Sequence, residues 1–202
     1  MTIESTETWR DTSVAPADRV ADLIGRMSLR EKLAQLTAIW VGMEAGSVAP
    51  HQHEFASAPG DWSELIRDGI GQITRAFGTA PIDPVGGARG VAQRQREVMA
   101  ASRFGIPAVV HEECLTGLAA WQATVYPAPL SWGASFDPEL IERMGVQIGE
   151  SMRRLGVHQG LAPVLDVVRD LRWGRVEETI GEDPYLVGTI GSAYVRGIES
   201  TG

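Results

Sequence analysis

One short pattern, repeated three times, limits what this chain can fold into. Arg67-Asp68-Gly69-Ile70, Arg103-Phe104-Gly105-Ile106 and Arg154-Leu155-Gly156-Val157 place a cation, a glycine and a β-branched residue in the same order. A cation near a helix C-terminus complements the negative end of the helix dipole, glycine takes the left-handed position that closes the helix, and a β-branched residue suits a strand. Each copy therefore reads as a helix end running into a strand. The strands are expected over 70–74, 106–111 and 157–167, the last with a regular part shortened by Pro163.

Helix starts are equally legible. Asp137-Pro138 and Asp183-Pro184 each put a capping acid before proline at the first helical position. After Asp137, the residues Leu140, Ile141, Met144, Ile148, Met152 and Leu155 form one apolar stripe; after Asp183, Leu186, Val187, Ile190, Tyr194, Val195 and Ile198 do the same. Ser28-Leu29-Arg30-Glu31 is a capping box that opens a helix over about 29–37, with Leu33 and Leu36 on one face. Val20, Leu23, Ile24 and Met27 give a helical lead-in behind a leader over 1–18, and residues 42–60, rich in Gly, Ala, Ser, Pro and His, read as a loop or insertion. Strands alternating with helices predict an α/β fold with a parallel sheet and right-handed crossovers. The pattern leaves open whether that sheet is doubly wound or closed as a barrel.

The 202 residues suffice for one sizeable core, and the expectation is one partial domain over 1–202. The last helix runs to Ser200-Thr201-Gly202, where the repeated pattern places glycine before another strand, so the fold is expected to be incomplete in this chain. With 18 basic and 26 acidic residues the net charge is -8, which repels phosphate backbones and anionic lipids; nucleic acid and membrane are not expected partners, and a neutral ligand suits the surface better. The polar, acidic first residues lack the cationic start and apolar run of a secretory signal, and Cys114 is the only cysteine; a cytoplasmic location is the expectation.

The densest chemistry follows the third strand. Residues 169–184 hold three Arg, five acids and Trp173 within 16 positions. In parallel α/β folds the segment after a strand lies at the C-terminal mouth, where sites are built. A solvated, salt-bridged loop is the ordinary reading of so charged a segment. Trp, Gly and Pro among paired charges argue instead for an ordered loop, in which Arg and carboxylate grip vicinal hydroxyls and an indole stacks on the C–H face of a sugar.

The run Ala162-Pro163-Val164-Leu165-Asp166-Val167, then Arg175-Val176-Glu177-Glu178-Thr179, then Gly181-Glu182-Asp183-Pro184-Tyr185-Leu186 resembles the central motif of glycoside hydrolase family 3. His111-Glu112-Glu113-Cys114-Leu115-Thr116-Gly117, Tyr126-Pro127 and Gly133-Ala134-Ser135-Phe136-Asp137-Pro138 match in the same order, and Ser28 to Leu36 resembles the family's opening helix. The resemblance spans about Val20 to Gly202, with Leu171 and Ile180 standing where the family usually has Pro and Phe. It implies the N-terminal part of a (β/α)8 barrel from a retaining, exo-acting β-glycosidase that removes terminal β-linked xylose or glucose. It also implies that Arg175 donates to ring hydroxyls of the glycone and that Glu113 accepts from hydroxyls on the ring's far side; Trp173, from the loop reading, and His111 are the further substrate-binding candidates. The family's Asp nucleophile, its Lys-His sugar-binding pair and its acid/base lie beyond the matched motifs, so no catalytic residue is expected in this chain. The missing C-terminal part of the same polypeptide is then a required partner and a small carbohydrate is the ligand. Glu113, where the family's β-glucosidases generally have Asp, resembles the β-xylosidase branch and implies a preference for a pentose.

Other residues carry less. Asp61-Trp62 precedes the matching strands and follows Gly60, and is rejected as the nucleophile. His111-Glu112 begins like a zinc-protease helix, but position 115 is Leu; no metal and no cofactor are expected. His51 and His53 read as solvent-exposed and His158 as structural, while Trp121 and Trp132, with Trp173, are candidates for a subsite wall or for the core. For Glu113 an ion pair at a strand end, and for Arg175 a pair with Glu177 or Glu178, are the ordinary alternatives. At the level of the whole chain the alternative is a non-catalytic sugar-binding or interaction protein on the same fold; a nucleotide-binding domain is disfavoured because no Gly-rich phosphate loop follows a strand.

Overall fold

The computed structural model describes residues 7–41 and 61–200. The 42–60 segment with His51 and His53, and the final Thr201-Gly202, lie outside the described residues. The elements are α1 (Pro16–Arg26), α2 (Leu29–Ala34), β1 (Ala38–Trp40), α3 (Trp62–Leu65), β2 (Gln72–Thr74), α4 (Pro84–Ala101), β3 (Val109–Glu113), α5 (Pro129–Ser135), α6 (Pro138–Leu155), β4 (Gln159–Leu161) and α7 (Pro184–Glu199).

All four strands pair in parallel, in the order β1-β2-β3-β4. That order resolves the choice the sequence left open. A doubly wound sheet reverses its strand order at a switch point, whereas a barrel adds each new strand on the same side. The sheet and its helices are the N-terminal part of a (β/α)8-type barrel.

The two faces of the sheet differ as a barrel requires. Ile73, Val110 and Glu112 point to the helix-covered face and are fully buried. Gln72, Thr74, Val109, His111, Glu113, Gln159 and Leu161 occupy the other face, half-buried or exposed. In a closed barrel this second face lines the interior. Gln72 donates to Gln159 at 3.2 Å, reaching past β3. Beneath the outer face, Phe77, Val91, Val110, Cys114, Trp132, Ile141, Ile148, Ile190 and Tyr194 make the main core, and Ile66, Ile70, Ile73, Val98 and Ala108 a smaller one. Helices α6 and α7 cross at glycine: a Cβ on Gly197 would lie 2.2 Å from the Glu142 carbonyl oxygen.

Strand bounds differ from expectation for reasons of hydrogen bonding. Before Gln72, the N–H of Gly71 is spent on the carbonyls of Ala34 and Thr37, so β2 starts two residues late. Pro107 has no N–H and Ala108 N–H donates to the Gln95 side chain, so β3 starts at Val109; it then runs on to Glu113. β4 covers only Gln159–Leu161, because Val157 N–H closes helix α6 on Met152 and Pro163 has none to give. β1 was not anticipated, and α2 stops at Ala34 rather than Thr37 because Leu36 and Thr37 bond back three residues in tight turns.

The repeated glycines do adopt left-handed backbone, with φ of 91° at Gly69, 63° at Gly105 and 76° at Gly156. Only Gly156 directly caps its helix; α3 and α4 end earlier, leaving Arg67 and Arg103 beyond them. Arg103 forks onto Glu31 at 2.6 and 2.9 Å and donates to the Arg26 carbonyl, tying the α1–α2 junction to the turn between α4 and β3. The Ser28–Glu31 capping box is formed on both sides. Leu140 leaves the α6 stripe: it is 45% exposed, and Gly145 and Gly149 complete the buried face instead. Of the expected 1–18 leader, residues 1–6 lie outside the described residues; in the rest, α1 begins at Pro16 and Trp9 packs edge-on against Phe104 at 5.9 Å.

Candidate functional site

β3 ends in two adjacent carboxylates that the strand's alternation sends to opposite faces. Glu112 is fully buried and accepts three backbone N–H groups, from Phe77 and Gly78 at 2.9 Å and from Glu113 at 3.0 Å. Its role is to fold the chain after β2: a Cβ on Gly78 would lie 2.7 Å from Glu112 Oε1, so only glycine fits there. Glu113 turns to the inner face, beside His111 two positions back. Arg75 Nη1 meets its Oε1 at 2.6 Å, while 35% of the Glu113 side chain stays exposed. The ion pair at a strand end is thus present, with the Glu113 side chain still partly exposed.

Arg75 was missed from sequence, where the strand was read only to Thr74. Its position immediately after a strand was the available signal, because that is where mouth residues stand. Its guanidinium carbon lies 5.1 Å from the Trp40 ring centroid.

Arg175 sits on the loop between β4 and α7. That loop is pinned by the Val164–Thr179 bridge, by Val168 N–H to the Gly181 carbonyl, and by buried Thr179 and Ile180. Arg175 forks onto Glu178 through Nε at 2.8 Å and Nη2 at 2.5 Å, the loop-stabilising pair foreseen as its ordinary role. A fork through Nε and Nη2 points Nη1 away from the carboxylate. Hydrogen bonding to Glu178 raises the Arg175 pKa first, then the charge of Glu178; Asp166 and Glu113 add to the rise. Glu113 pairs in register with Leu161 of β4, the strand whose following loop carries Arg175. Trp173, partly exposed, has its ring centroid 5.9 Å from the Arg175 guanidinium. Asp170 caps the short turn Leu171–Trp173 that presents it.

His111 shares the inner face with Glu113, and its Nδ1 is 2.6 Å from Thr74 Oγ1. The remaining candidates separate cleanly. Trp132 is 1% exposed and stacked on Tyr194 at 4.9 Å, so it belongs to the core and not to a subsite wall. Trp121 is exposed. His158 Nδ1 accepts the Val110 N–H, a structural bond. Asp61 caps α3 and the Trp62 indole donates to Glu97, so neither reaches the inner face. Cys114 is buried, its thiol pushed up to about 11 by burial. Among the described residues no three His, Cys, Asp or Glu side chains cluster as metal ligands would, and no helix is long and apolar enough to cross a membrane.

The ends of the parallel strands carry Glu113 and Arg75, and the loop after β4 carries Trp173 and Arg175. Residues 28–202 match the glycosyl hydrolase family 3 N-terminal domain, and the chain belongs to that family. It is 40% identical to a β-xylosidase of Formosa agariphila over 120 residues, 55% of this chain and 16% of that protein. A periplasmic β-glucosidase of Salmonella typhimurium is 31% identical over 89% of this chain and 20% of its own length. Among solved structures, a β-glucosidase of Erythrobacter marinus superposes with a TM-score of 0.77 at 34% identity, covering 96% of this chain and 24% of that one. The chain thus spans a quarter or less of these relatives.

Proposed function

We propose that the chain supplies the glycone-binding wall of a retaining, exo-acting β-glycosidase that releases terminal β-linked xylose or glucose. Arg175 donates through Nη1 to ring hydroxyls, Glu113 accepts from hydroxyls across the ring, Trp173 covers a C–H face and His111 lines the floor. The nucleophile and the acid/base of the double-displacement reaction come from residues outside this chain. One observation carries the reading: Glu113, partly exposed on the inner face, pairs in register with β4, and the ordered loop after β4 holds an arginine whose Nη1 points away from its own partner. A surface of net charge -8 also suits a neutral ligand.

Glu113 extends the reading to specificity. Its extra methylene, relative to Asp, projects into space that the hydroxymethyl group of a hexose requires. A steric difference of this kind is worth about 10- to 200-fold in kcat/KM. The protein at its encoded length is assayed on aryl β-xyloside and aryl β-glucoside, as wild type and as Glu113→Asp. The xyloside is favoured by wild type and the ratio shifts toward glucoside in the variant; a wild type that prefers glucoside, or a ratio unmoved by the substitution, removes Glu113 from this role. Sugar binding without turnover of either substrate supports the non-catalytic alternative.

A further inference from the structure

Beside Glu113 stands a built assembly that the glycone contacts do not require, and Arg75 is its centre. The residue is held in left-handed backbone with φ 60°. Its N–H donates to the His111 carbonyl at 3.1 Å, and its carbonyl accepts from Thr79 Oγ1 at 2.7 Å. Thr79 in turn accepts the Trp40 indole N–H at 2.8 Å, which locks the ring over which the Arg75 guanidinium lies. The chain beyond is fastened by the Phe77 and Gly78 N–H groups on Glu112. A non-glycine residue persists at positive φ only where its surroundings over-determine it, and such residues gather at functional sites.

The guanidinium is shared between the two faces of the sheet. Nη1 meets Glu113 Oε1 at 2.6 Å, while Nε lies 3.8 Å from Glu112 Oε1, inside ion-pair range but without a hydrogen-bond partner. Only 17% of the Arg75 side chain is exposed, against 59% for Arg175. Arg75 is thus engaged through two of its three nitrogens, Nη1 on Glu113 and Nε buried beside Glu112. A free glutamate side chain would be frozen only when ligand arrives, and freezing it beforehand improves affinity without any new contact.

We propose that Arg75 is the positioning residue of the site: its guanidinium holds one oxygen of Glu113 and leaves the other oxygen aimed at the sugar, with buried Glu112 as the counter-charge that keeps Arg75 in place. This rests on Glu113 being a sugar contact. Lysine cannot substitute fully, because an ammonium is a point charge and lacks the planar fork that reaches two carboxylates.

The test is a double-mutant cycle on the protein at its encoded length, with D-xylose as probe and Kd read by ligand-observed NMR. Glu113→Gln and Arg75→Met each raise Kd about tenfold, the scale of one charge-assisted hydrogen bond. The double variant is no weaker than the weaker single one, since Arg75 acts only through Glu113. Arg75→Lys, checked for a wild-type circular-dichroism melt, falls between wild type and Arg75→Met; if Arg75→Met does not fold, the cycle is run with Arg75→Lys and must show the same non-additivity. Additive effects, or an Arg75 variant that binds as wild type while Glu113→Gln is weakened, overturn the positioning role and leave the sugar contact standing. A Glu113→Gln variant that binds as wild type overturns the sugar contact itself, and the positioning role with it.

Discussion

Replacing Glu112 tests the scaffold behind the site. In Glu112→Leu the side-chain volume is nearly kept, but the N–H groups of Phe77, Gly78 and Glu113 lose their acceptor in a fully buried place. Each orphaned donor costs about 1–3 kcal/mol, and burial of the added apolar surface returns about 1.5–2 kcal/mol. With three donors orphaned, mid-range values leave a net loss of about 4 kcal/mol. Glu112→Gln keeps a carbonyl for Phe77 and Gly78 and turns an amide donor toward the Glu113 N–H, so about 1–3 kcal/mol is lost. For a chain of this size about 1 kcal/mol moves Tm by about 2–4 °C, which separates the variants by several degrees in the order wild type, Gln, Leu. Thermal unfolding followed by circular dichroism reads that order. A Glu112→Leu protein melting within about 2 °C of wild type, less than 1 kcal/mol, would refute the assignment of Glu112 as the acceptor that folds the 75–78 turn.

Two further predictions address the frame. Glu31 is held at a pKa of about 2, below its ordinary 4.5, chiefly by the Arg103 hydrogen bonds and then by the Ser28 bonds, so its stabilisation is full above pH 4.5 and is lost as pH falls toward 2. Because Arg103 is 60% exposed the contribution is screened; Glu31→Gln should cost about 1–2 kcal/mol in urea melts at pH 7 and much less at pH 2, and an equal cost at both pH values contradicts the linkage. A methyl group on Gly133 would lie 2.0 Å from the Ile180 carbonyl oxygen, so Gly133→Ala should lose more than about 3 kcal/mol or soluble protein altogether, whereas Gly188→Ala, with nothing within 4 Å, should melt at or slightly above wild type; equal melts for the two remove the claimed close packing.

What was legible in the sequence is what depends on near neighbours along the chain. The Ser28–Glu31 box, the Asp-Pro helix starts and the left-handed glycines each satisfy backbone groups within a few residues, so residue identity alone exposes them. Asp83-Pro84 carries the same helix-start signal for α4, which was not singled out. Strand ends were less legible because they are set by distant partners, such as the Gln95 side chain that takes Ala108 out of β3. The same limit applies to the site. Glu113 and Arg175 stand in long recognisable motifs, but Arg75 gains its meaning only when parallel pairing sets β2 beside β3. Trp132 and Trp173 have the same side chain and opposite fates, one stacked in the core and one beside Arg175, and only the packing of α7 against α5 tells them apart.

The central claim is that Glu113 at the end of β3 and Arg175 on the β4–α7 loop grip one sugar ring. A crystal structure of the protein at its encoded length with D-xylose tests it most directly. The account predicts a single ring at the C-terminal ends of β3 and β4, with a hydroxyl within about 3 Å of a Glu113 carboxylate oxygen and another within about 3 Å of an Arg175 nitrogen. A sugar bound elsewhere, or bound at this mouth while touching neither side chain, contradicts it.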